Sequence, residues 1–252
     1  MSDLEFFCTF ARSNYKNNQM DYAIIAAGEG SRLVQEGVRF PKPLVELNGV
    51  SLIDRLITIF SNNNASSISI IVNEEMKDVR KHLESMELNI PLNLVVRSTP
   101  SSMHSFYELS SFLTKGKFCL TTVDTIFHED EFATFIRSFE NNETDDGMMA
   151  VTDYIDDEKP LYIEVDEKNM LIKDFLDTTS GNLKYVSGGI YCLTPKALPV
   201  LDYCLKQDIS RMRNYQRQLI KEGLQLKAFP FSKIIDVDHA GDIEKAEKFL
   251  LS

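Results

Sequence analysis

The chain has 252 residues, of which 43% are hydrophobic, and carries a formal net charge of −11 with four cysteines. This length can bury a sizeable core in one large α/β domain, whereas the acidic charge argues against binding to a nucleic acid. The cysteines are far apart and form no CxxC pair. Neither a zinc knuckle nor a disulfide framework is indicated, and we expect a reducing, cytoplasmic setting.

The amino-terminal residues 1–19 begin with an acidic segment and contain only a short apolar run, FFCTF. This run is too short for the core of a signal peptide or for a membrane span, so we expect no membrane partner. Met20 stands just before the first convincing strand. We therefore predict an amino-terminal extension over residues 1–19, whose role stays open, and a single domain over residues 20–252.

Between residues 20 and 140, apolar runs of strand length alternate with segments of helical periodicity. The strand runs are YAIIAA (22–27), ISIIVN (68–73), LNLVVR (92–97) and KFCLTTV (117–123). In the first intervening segment Ser51 and Asp54 are spaced as a helix cap, and the apolar residues that follow fall on one face. The pattern predicts a Rossmann-like three-layer α/β/α fold with a mostly parallel sheet, in which ligands bind beyond the carboxyl ends of the strands.

After residue 140 the strand runs are joined by short polar links instead of helices. This change predicts a mixed or antiparallel extension of the sheet, followed by two helical segments, two further strands and a closing helix. We therefore divide the domain into a first half, residues 20–140, and a second half, residues 141–252.

The loop after the first strand, AAGEGSRLVQEGVRFPKPLVEL (26–47), is rich in glycine and positive charge. It lacks the third glycine of a dinucleotide fingerprint and the Gly-Lys-Ser/Thr of a Walker motif, and its prolines and Gly37 predict an open loop with no helix directly after the glycines. Gly28 and Gly30 can offer backbone N–H groups to phosphate oxygens, and Arg32 and Lys42 can bind them as cations. A surface loop with two solvated cations is the alternative.

The complete pattern, G-x-G-x-R-L followed after a short interval by P-K-P-L, resembles the signature of the nucleotidyltransferases that make nucleotide-activated sugars and related phosphate esters. The segments AAGEGSRL and PKPLVELNGVSLIDRLI carry the resemblance. It implies that Ala27, Gly28, Gly30, Ser31 and Arg32 line the nucleotide phosphates. It also implies that Lys42 contacts the reacting phosphates, so that Arg32 and Lys42 form the catalytic pair.

Two aspartates match the positions at which this family holds a divalent cation. Asp124 ends the run CLTTVD, and Asp238 lies in IIDVDHAGDIEKAEKFL, with Asp236 on the same strand face. The resemblance implies Mg²⁺ as cofactor, with Asp124 and Asp238 as its ligands. Each aspartate could instead cap the element that follows it, and a D-x-D triplet also occurs in glycosyltransferases.

Three further segments resemble the base and acceptor sites of the family. Ser101 and Ser102, with His104 nearby, match the segment that reads the base, although small residues there could also cap a helix. Gly188 and Gly189, with Ser187 close to the usual asparagine, match the acceptor strand, and Glu164 lies in the stretch YIEVDE that is similar to another acceptor segment. These matches predict base contacts from Ser101 and Ser102 and acceptor contacts from Gly188, Gly189 and Glu164.

The acceptor segment departs from the sugar enzymes at Thr178, where they carry a second lysine that binds the phosphate of a sugar 1-phosphate. Either another cation replaces it, with Lys173 or Lys184 nearest in sequence, or the acceptor is bound differently. Asp177 beside it would suit a positively charged headgroup. Related enzymes that cytidylylate phosphocholine or alditol phosphates also depart here.

Three hypotheses follow. The first is a Mg²⁺-dependent enzyme that transfers the NMP part of a nucleoside triphosphate to a small phosphomonoester and releases pyrophosphate. The expected acceptor is a sugar 1-phosphate, and the alternative is cytidylyl transfer to phosphocholine or an alditol phosphate. The second is a nucleotide-binding module without turnover, and the third is a glycosyltransferase. The base, the exact acceptor and the choice between a monomer and a homodimer stay open at this point.

Overall fold

The computed structural model describes residues 19–179, 181 and 183–252, so the predicted extension over residues 1–19 lies outside the described residues except for its last position. The strands are β1 (Met20–Ala26), β2 (Glu46–Leu47), β3 (Val50–Ser51), β4 (Ala65–Val72), β5 (Leu92–Val96), β6 (Phe118–Thr122), β7 (Thr125–Ile126), β8 (Gly147–Thr152), β9 (Tyr162–Asp166), β10 (Leu171–Leu176), β11 (Tyr185–Leu193), β12 (Leu226–Phe231) and β13 (Ile235–Asp236).

The helices are α1 (Ser31–Gln35), α2 (Leu52–Asn62), α3 (Lys77–Glu84), α4 (Ser102–Ser110), α5 (Glu129–Glu140), α6 (Leu198–Lys206), α7 (Met212–Lys221) and α8 (Ala240–Leu250), with single 3₁₀ turns at Lys42–Leu44 and Pro195–Ala197. In the part of the chain that the structure describes, none of them is long and apolar enough to cross a membrane. The predicted cap of α2 forms, because the Ser51 hydroxyl accepts a hydrogen bond of 3.2 Å from the backbone N–H of Asp54.

The described residues build a nine-stranded sheet in the order β5-β4-β1-β6-β11-β8-β12-β10-β9. The strands of the first half pair in parallel, β5 with β4, β4 with β1 and β1 with β6. In the second half β8 and β12 are parallel, while β11 pairs antiparallel with β6, β8 and β9, and β10 pairs antiparallel with β9 and β12. The mixed sheet confirms the predicted α/β class, and the short polar links explain the antiparallel part.

The strand order reverses direction at β1. The chain moves outward from β1 to β4 and β5, then returns past β1 to β6. The carboxyl ends of β1 and β6 therefore border a crevice, which is where ligands bind in open α/β sheets. The loop of residues 27–45 leaves β1 at this crevice, and Asp124 follows β6 there.

Two hydrophobic clusters cover the two faces of the sheet, and β1 shows the alternation most clearly. Tyr22 and Ile24 belong to one cluster, which α2, α3, α5 and α8 cover, whereas Ala23 and Ile25 belong to the other, beneath α4, α6 and α7. Both faces of a central strand are thus apolar, as expected for a sheet between two helical layers. The three-layer architecture follows from this double burial.

Candidate active site

The loop after β1 is shaped by its glycines. Gly30 has a φ of +61° and caps the amino end of α1, and a Cβ at this position would lie 3.1 Å from the Cβ of Lys42. A side chain is therefore disfavoured both by the backbone conformation and by the close approach of Lys42. The prediction of an open loop was wrong over Ser31–Gln35, because Gly30 can start a short helix there that Gly37, with a φ of +89°, ends.

A cavity of about 650 Å³ lies above the carboxyl ends of β1, β4, β5 and β6. We call it the nucleotide cavity. Its lining includes all of the residues predicted to contact a nucleotide, together with Lys42 and both predicted metal ligands. These residues are Ala27, Gly28, Gly30, Ser31, Arg32, Lys42, Ser101, Ser102, Asp124 and Asp238.

A charged cluster lies at one end of the nucleotide cavity. The Lys42 ammonium, which is almost fully buried, donates hydrogen bonds to Asp124 and, at 2.7 Å, to Oδ1 of Asp238. Arg32 donates from Nη1 to the other oxygen of Asp238 at 3.2 Å. Asp124 and Asp238 lie 82 and 196 positions from Lys42 along the chain. Only the tertiary fold brings them to the same cation.

A second cavity of about 320 Å³ opens on the other side of this cluster, and Arg32 and Asp238 line both cavities. We call it the acceptor cavity. Gly188 and Ser187 line it, and a Cβ at Gly188 would lie only 2.2 Å from Cδ1 of Ile234 and 3.2 Å from the carbonyl oxygen of Ala150. Glycine at this position therefore permits the wall of the cavity to pack.

Residues 22–251 match the family described as Nucleotidyl transferase. The chain belongs to this family. The match includes every residue for which the sequence analysis predicted a role in the site. It confirms the predicted family.

Individual relatives of this nucleotidyl transferase chain are distant. The bifunctional protein GlmU of Thermodesulfovibrio yellowstonii is 22% identical over 247 residues, which cover 92% of this chain and 52% of GlmU. The chain therefore spans about half the length of that relative. The likeness is confined to one part of a larger protein.

Two solved structures share the fold. The inositol-1-phosphate CTP transferase from T. maritima superposes with a TM-score of 0.75 and 19% identity, over 93% of this chain and 96% of that one. A putative glucose-1-phosphate thymidylyltransferase from Bacillus anthracis, solved in complex with a sucrose, gives a TM-score of 0.78 and 19% identity, over 92% and 95% of the chains. Both likenesses support the fold predicted for the nucleotidyl transferase domain.

The electrostatics of the charged cluster follow from burial and proximity. Burial lowers the pKa of Lys42, but Asp124 and Asp238 raise it by more. The net pKa is above the usual value for lysine, so the ammonium stays charged at neutral pH. Asp236, at the shared edge of β13 and the acceptor cavity, has its pKa raised to about 8 by desolvation and by the neighbouring carboxylates of Asp124 and Asp238. The cluster thus holds one buried cation among three carboxyl groups.

Two of the three residues predicted to contact the acceptor lie elsewhere. Gly189 and Glu164 line neither the nucleotide cavity nor the acceptor cavity, as far as the described residues define them. Gly189 has a φ of +73°, and a Cβ there would lie 3.3 Å from Oγ1 of Thr125. Glu164 is exposed on β9 opposite Asp174. Of the three residues predicted to contact the acceptor, only Gly188 lines the acceptor cavity in the described chain.

The charged residues that the sequence suggested as acceptor contacts, Lys173, Lys184 and Asp177, have other partners in the structure. Lys173 lies 4.0 Å from Asp166, the Lys184 ammonium lies 4.9 Å from the centre of the Tyr185 ring, and neither residue lines the acceptor cavity in the described chain. Asp177 is bound by Arg213 at 2.6 Å and Arg217 at 2.8 Å, which lower its pKa and neutralise its charge. Asp177 therefore already has two positively charged partners, and it does not line the acceptor cavity in the described chain.

His104 is engaged within its own helix. Its Nδ1 lies 2.8 Å from the Ser101 hydroxyl at the start of α4, and it does not line the nucleotide cavity among the described residues. The sequence reasoning missed other cavity residues that follow the ends of β4 and β5, namely Asn73, Glu75, Ser98, Thr99 and Ser105. The signal that could have found them is their position after two predicted parallel strands, where ligand-binding loops gather.

A carboxylate clamp ties the loop after β1 to the segment that carries Asp238. Glu36 lies 2.6 Å from Nδ1 of His239 through one oxygen and accepts a hydrogen bond of 2.6 Å from the backbone N–H of Ala240 through the other. Asp242 accepts from the backbone N–H groups of Asp238 and His239 at 3.2 and 2.8 Å. Glu36 therefore joins the loop that carries Arg32 to the start of α8, directly after Asp238.

Proposed function

We propose that this protein is a Mg²⁺-dependent nucleotidyltransferase that joins the NMP part of a nucleoside triphosphate to a small phosphomonoester and releases pyrophosphate. The observation that carries the proposal is the meeting of two cavities at the cluster of Arg32, Lys42, Asp124 and Asp238. A nucleotide in one cavity and a phosphomonoester in the other would bring their phosphates to this cluster. The glycosyltransferase hypothesis has no role for the cation-rich loop.

In this reaction an oxygen of the acceptor phosphate attacks the α-phosphorus, and the bond from that phosphorus to the oxygen it shares with the β-phosphate breaks. The electron pair leaves with pyrophosphate. No general base is required, since a phosphate monoester is already anionic near neutral pH. Catalysis then depends on positioning and on the stabilisation of charge.

Lys42 and Arg32 supply the positive charge. Lys42 is buried among protein groups, where an interaction with a phosphate oxygen is stronger than in water. Arg32 lies at the boundary of the two cavities and can fork onto phosphate oxygens. We assign Lys42 to the reacting phosphates of the nucleotide and Arg32 to the junction between nucleotide and acceptor.

A magnesium ion fits the donor chemistry of the cluster. Asp124 and Asp238 both direct a carboxylate oxygen at the same cation, Lys42, so their oxygens already converge on one positive charge. Mg²⁺ commonly keeps several waters and binds through one or two carboxylates together with substrate phosphates, so these two aspartates suffice as protein ligands. Bound there, Mg²⁺ would neutralise phosphate charge.

We propose a sugar or polyol 1-phosphate as the acceptor. The relatives in structure are named for inositol 1-phosphate and glucose 1-phosphate. The acceptor cavity presents carboxylates such as Asp156 and Asp157, which accept hydrogen bonds from hydroxyl groups. Phosphocholine is the second candidate, because the same acidic lining would also suit a positively charged headgroup.

The decisive assay measures pyrophosphate release with each common nucleoside triphosphate and Mg²⁺, against hexose 1-phosphates, alditol phosphates and phosphocholine. We expect one triphosphate with a sugar or polyol phosphate to give the highest kcat/KM. A preference of about tenfold for phosphocholine, or about 1.4 kcal/mol of transition-state binding, would overturn the sugar assignment. Nucleotide binding without pyrophosphate release from any pair would instead favour a binding module.

The same assay tests the metal ligands. We expect Asp124→Asn and Asp238→Asn each to abolish Mg²⁺-dependent turnover, because the amide keeps the shape of the side chain but removes the negative charge that the ion needs. Asp236→Asn is the matched control and should reduce turnover less. Normal activity and an unchanged dependence on the Mg²⁺ concentration in Asp238→Asn would show that this residue only begins α8.

A further inference from the structure

The acceptor cavity carries few positive groups for a site that receives a phosphate. Among the described residues that line it, Arg32 and Lys245 are the fixed cations, against six carboxylates. Arg32 is already paired with Asp238 and also borders the nucleotide cavity. A phosphate dianion in this acidic cavity requires a cation within hydrogen-bond distance, since the carboxylates around it are repulsive.

Lys245 is held in the cavity by two carboxylates from different parts of the chain. Its ammonium donates to Oδ2 of Asp156 at 2.5 Å and to Oδ1 of Asp242 at 3.2 Å. These hydrogen bonds raise the pKa of Lys245 to about 12, so the group stays charged across the neutral range. Asp242 also accepts from the backbone of Asp238, which fixes Lys245 relative to the proposed metal ligand.

An ammonium group carries three N–H donors, and the two carboxylates engage two of them. The third donor of Lys245 is available on a side chain that lines the cavity and is 38% exposed. The two lysines that are nearer to Thr178 in sequence, Lys173 and Lys184, do not line this cavity in the described chain. Lys245 can therefore donate to a phosphate oxygen without leaving its protein partners.

We propose that Lys245 binds the phosphate of the acceptor, with Asp156 and Asp242 positioning its ammonium. This inference rests on the proposed function and deepens it, because it assigns the acceptor phosphate to a residue of the closing helix α8. The assignment holds equally for a sugar phosphate and for phosphocholine, since both present the same phosphomonoester group.

The test compares Lys245→Gln and Lys245→Arg with the wild-type protein in acceptor-dependent pyrophosphate release. Lys248→Gln is the matched control, because Lys248 lies on the same helix, is exposed and pairs with Glu244 at 2.6 Å. For Lys245→Gln we expect the KM of the acceptor to rise about tenfold or more, while the KM of the nucleotide stays within about twofold. Lys245→Arg should recover most of the acceptor affinity, and Lys248→Gln should behave as wild type.

An unchanged acceptor KM in Lys245→Gln, or an equal rise in Lys248→Gln, would overturn the inference. If the wild-type protein turns over no acceptor, the proposed function fails, and calorimetric titration with glucose 1-phosphate and with inorganic phosphate then tests Lys245 directly. Binding by the wild type that is lost in Lys245→Gln supports the inference. Equal affinity in both proteins, or no binding by either, rejects it.

Discussion

Lys42 shows how much of the proposed chemistry depends on a single residue. Its side chain is almost fully buried, yet it carries a positive charge that two aspartates stabilise. Pro41 and Pro43 flank it, and the 3₁₀ turn Lys42–Leu44 directs it toward the carboxyl end of β6. A buried ammonium with two carboxylate partners carries a desolvation cost, and a charged group of this kind inside a cavity favours a role in binding phosphate.

We predict that Lys42→Ala lowers turnover by about 10²-fold or more and leaves the fold intact, because a cation on a reacting phosphate in a water-poor site contributes several kcal/mol to the transition state. Steady-state kinetics at saturating substrate measure the loss, and far-UV circular dichroism checks the fold. The control is Lys221→Ala, an exposed lysine at the end of α7. Turnover equal to that of the control would remove Lys42 from the reacting phosphates.

At the scale of elements, Asp146 joins three strands of the second half of the sheet. Its carboxylate accepts from Lys196 at 2.8 Å and from the backbone N–H of Gln225 at 3.0 Å, while its carbonyl accepts from Thr194. Burial raises the pKa of Asp146, but these two donors lower it by more, so its pKa lies below the usual 3.8. The ionised carboxylate therefore stabilises the junction of β8, β11 and β12.

We predict that Asp146→Asn lowers the free energy of unfolding at pH 7 by about 1 kcal/mol, a small value because Lys196 is largely exposed to solvent. Since folding depresses this pKa, the stabilisation is present above pH 3.8 and is lost as the pH falls through the folded-state pKa. Denaturant unfolding at pH 7 and pH 3 should show the difference from wild type shrinking at the lower pH. Asp202→Asn, at an exposed position, is the control. The account would be contradicted if the difference in unfolding free energy between wild type and Asp146→Asn were the same at both pH values, or if Asp202→Asn lost as much stability.

At the scale of the whole molecule, the two halves share one sheet. The pairing of β6 with β11 joins them, and the hydrophobic cluster under α4, α6 and α7 contains residues of both halves, such as Phe106 and Tyr215, whose rings lie 5.6 Å apart. A unit with a common core unfolds cooperatively. The prediction of a single domain over residues 20–252 can therefore be tested by unfolding.

We predict one thermal transition, with equal calorimetric and van't Hoff enthalpies, for the whole chain. Leu56→Ala in the first half and Leu219→Ala in the second each remove a fully buried side chain, at a cost of about 2–5 kcal/mol. Both substitutions should lower the temperature of the same transition. Calorimetry and near-UV circular dichroism can follow it, and the near-UV signal comes mainly from tyrosines because the chain has no tryptophan. Two resolved transitions, each lowered by only one of the substitutions, would show that the two halves unfold separately and would contradict the prediction of a single domain.

Much of the fold was accessible from the sequence, because local patterns determine local structure. The apolar runs predicted β1, β4, β5 and β6 within a few residues, since a strand buried on both faces needs a continuous apolar segment. The glycines and cations of residues 28–42 predicted a phosphate-binding loop, because they lie close together along the chain. The short helix α1 was missed, because its start depends on the left-handed conformation that Gly30 adopts against Lys42.

The amino-acid sequence by itself indicated the family, the positions of the first strands along the chain and the candidate charged residues, since these depend on motifs of neighbouring positions. The tertiary structure decided which of those residues share a cavity. It placed Asp238 in contact with Arg32, 206 residues earlier, and Lys245 in the same cavity as Arg32. In the described chain Glu164, Lys173 and Lys184 do not line that cavity. The physical reason is that cavities form where the sheet reverses its strand order, and contacts between residues so distant in sequence leave no local pattern to read.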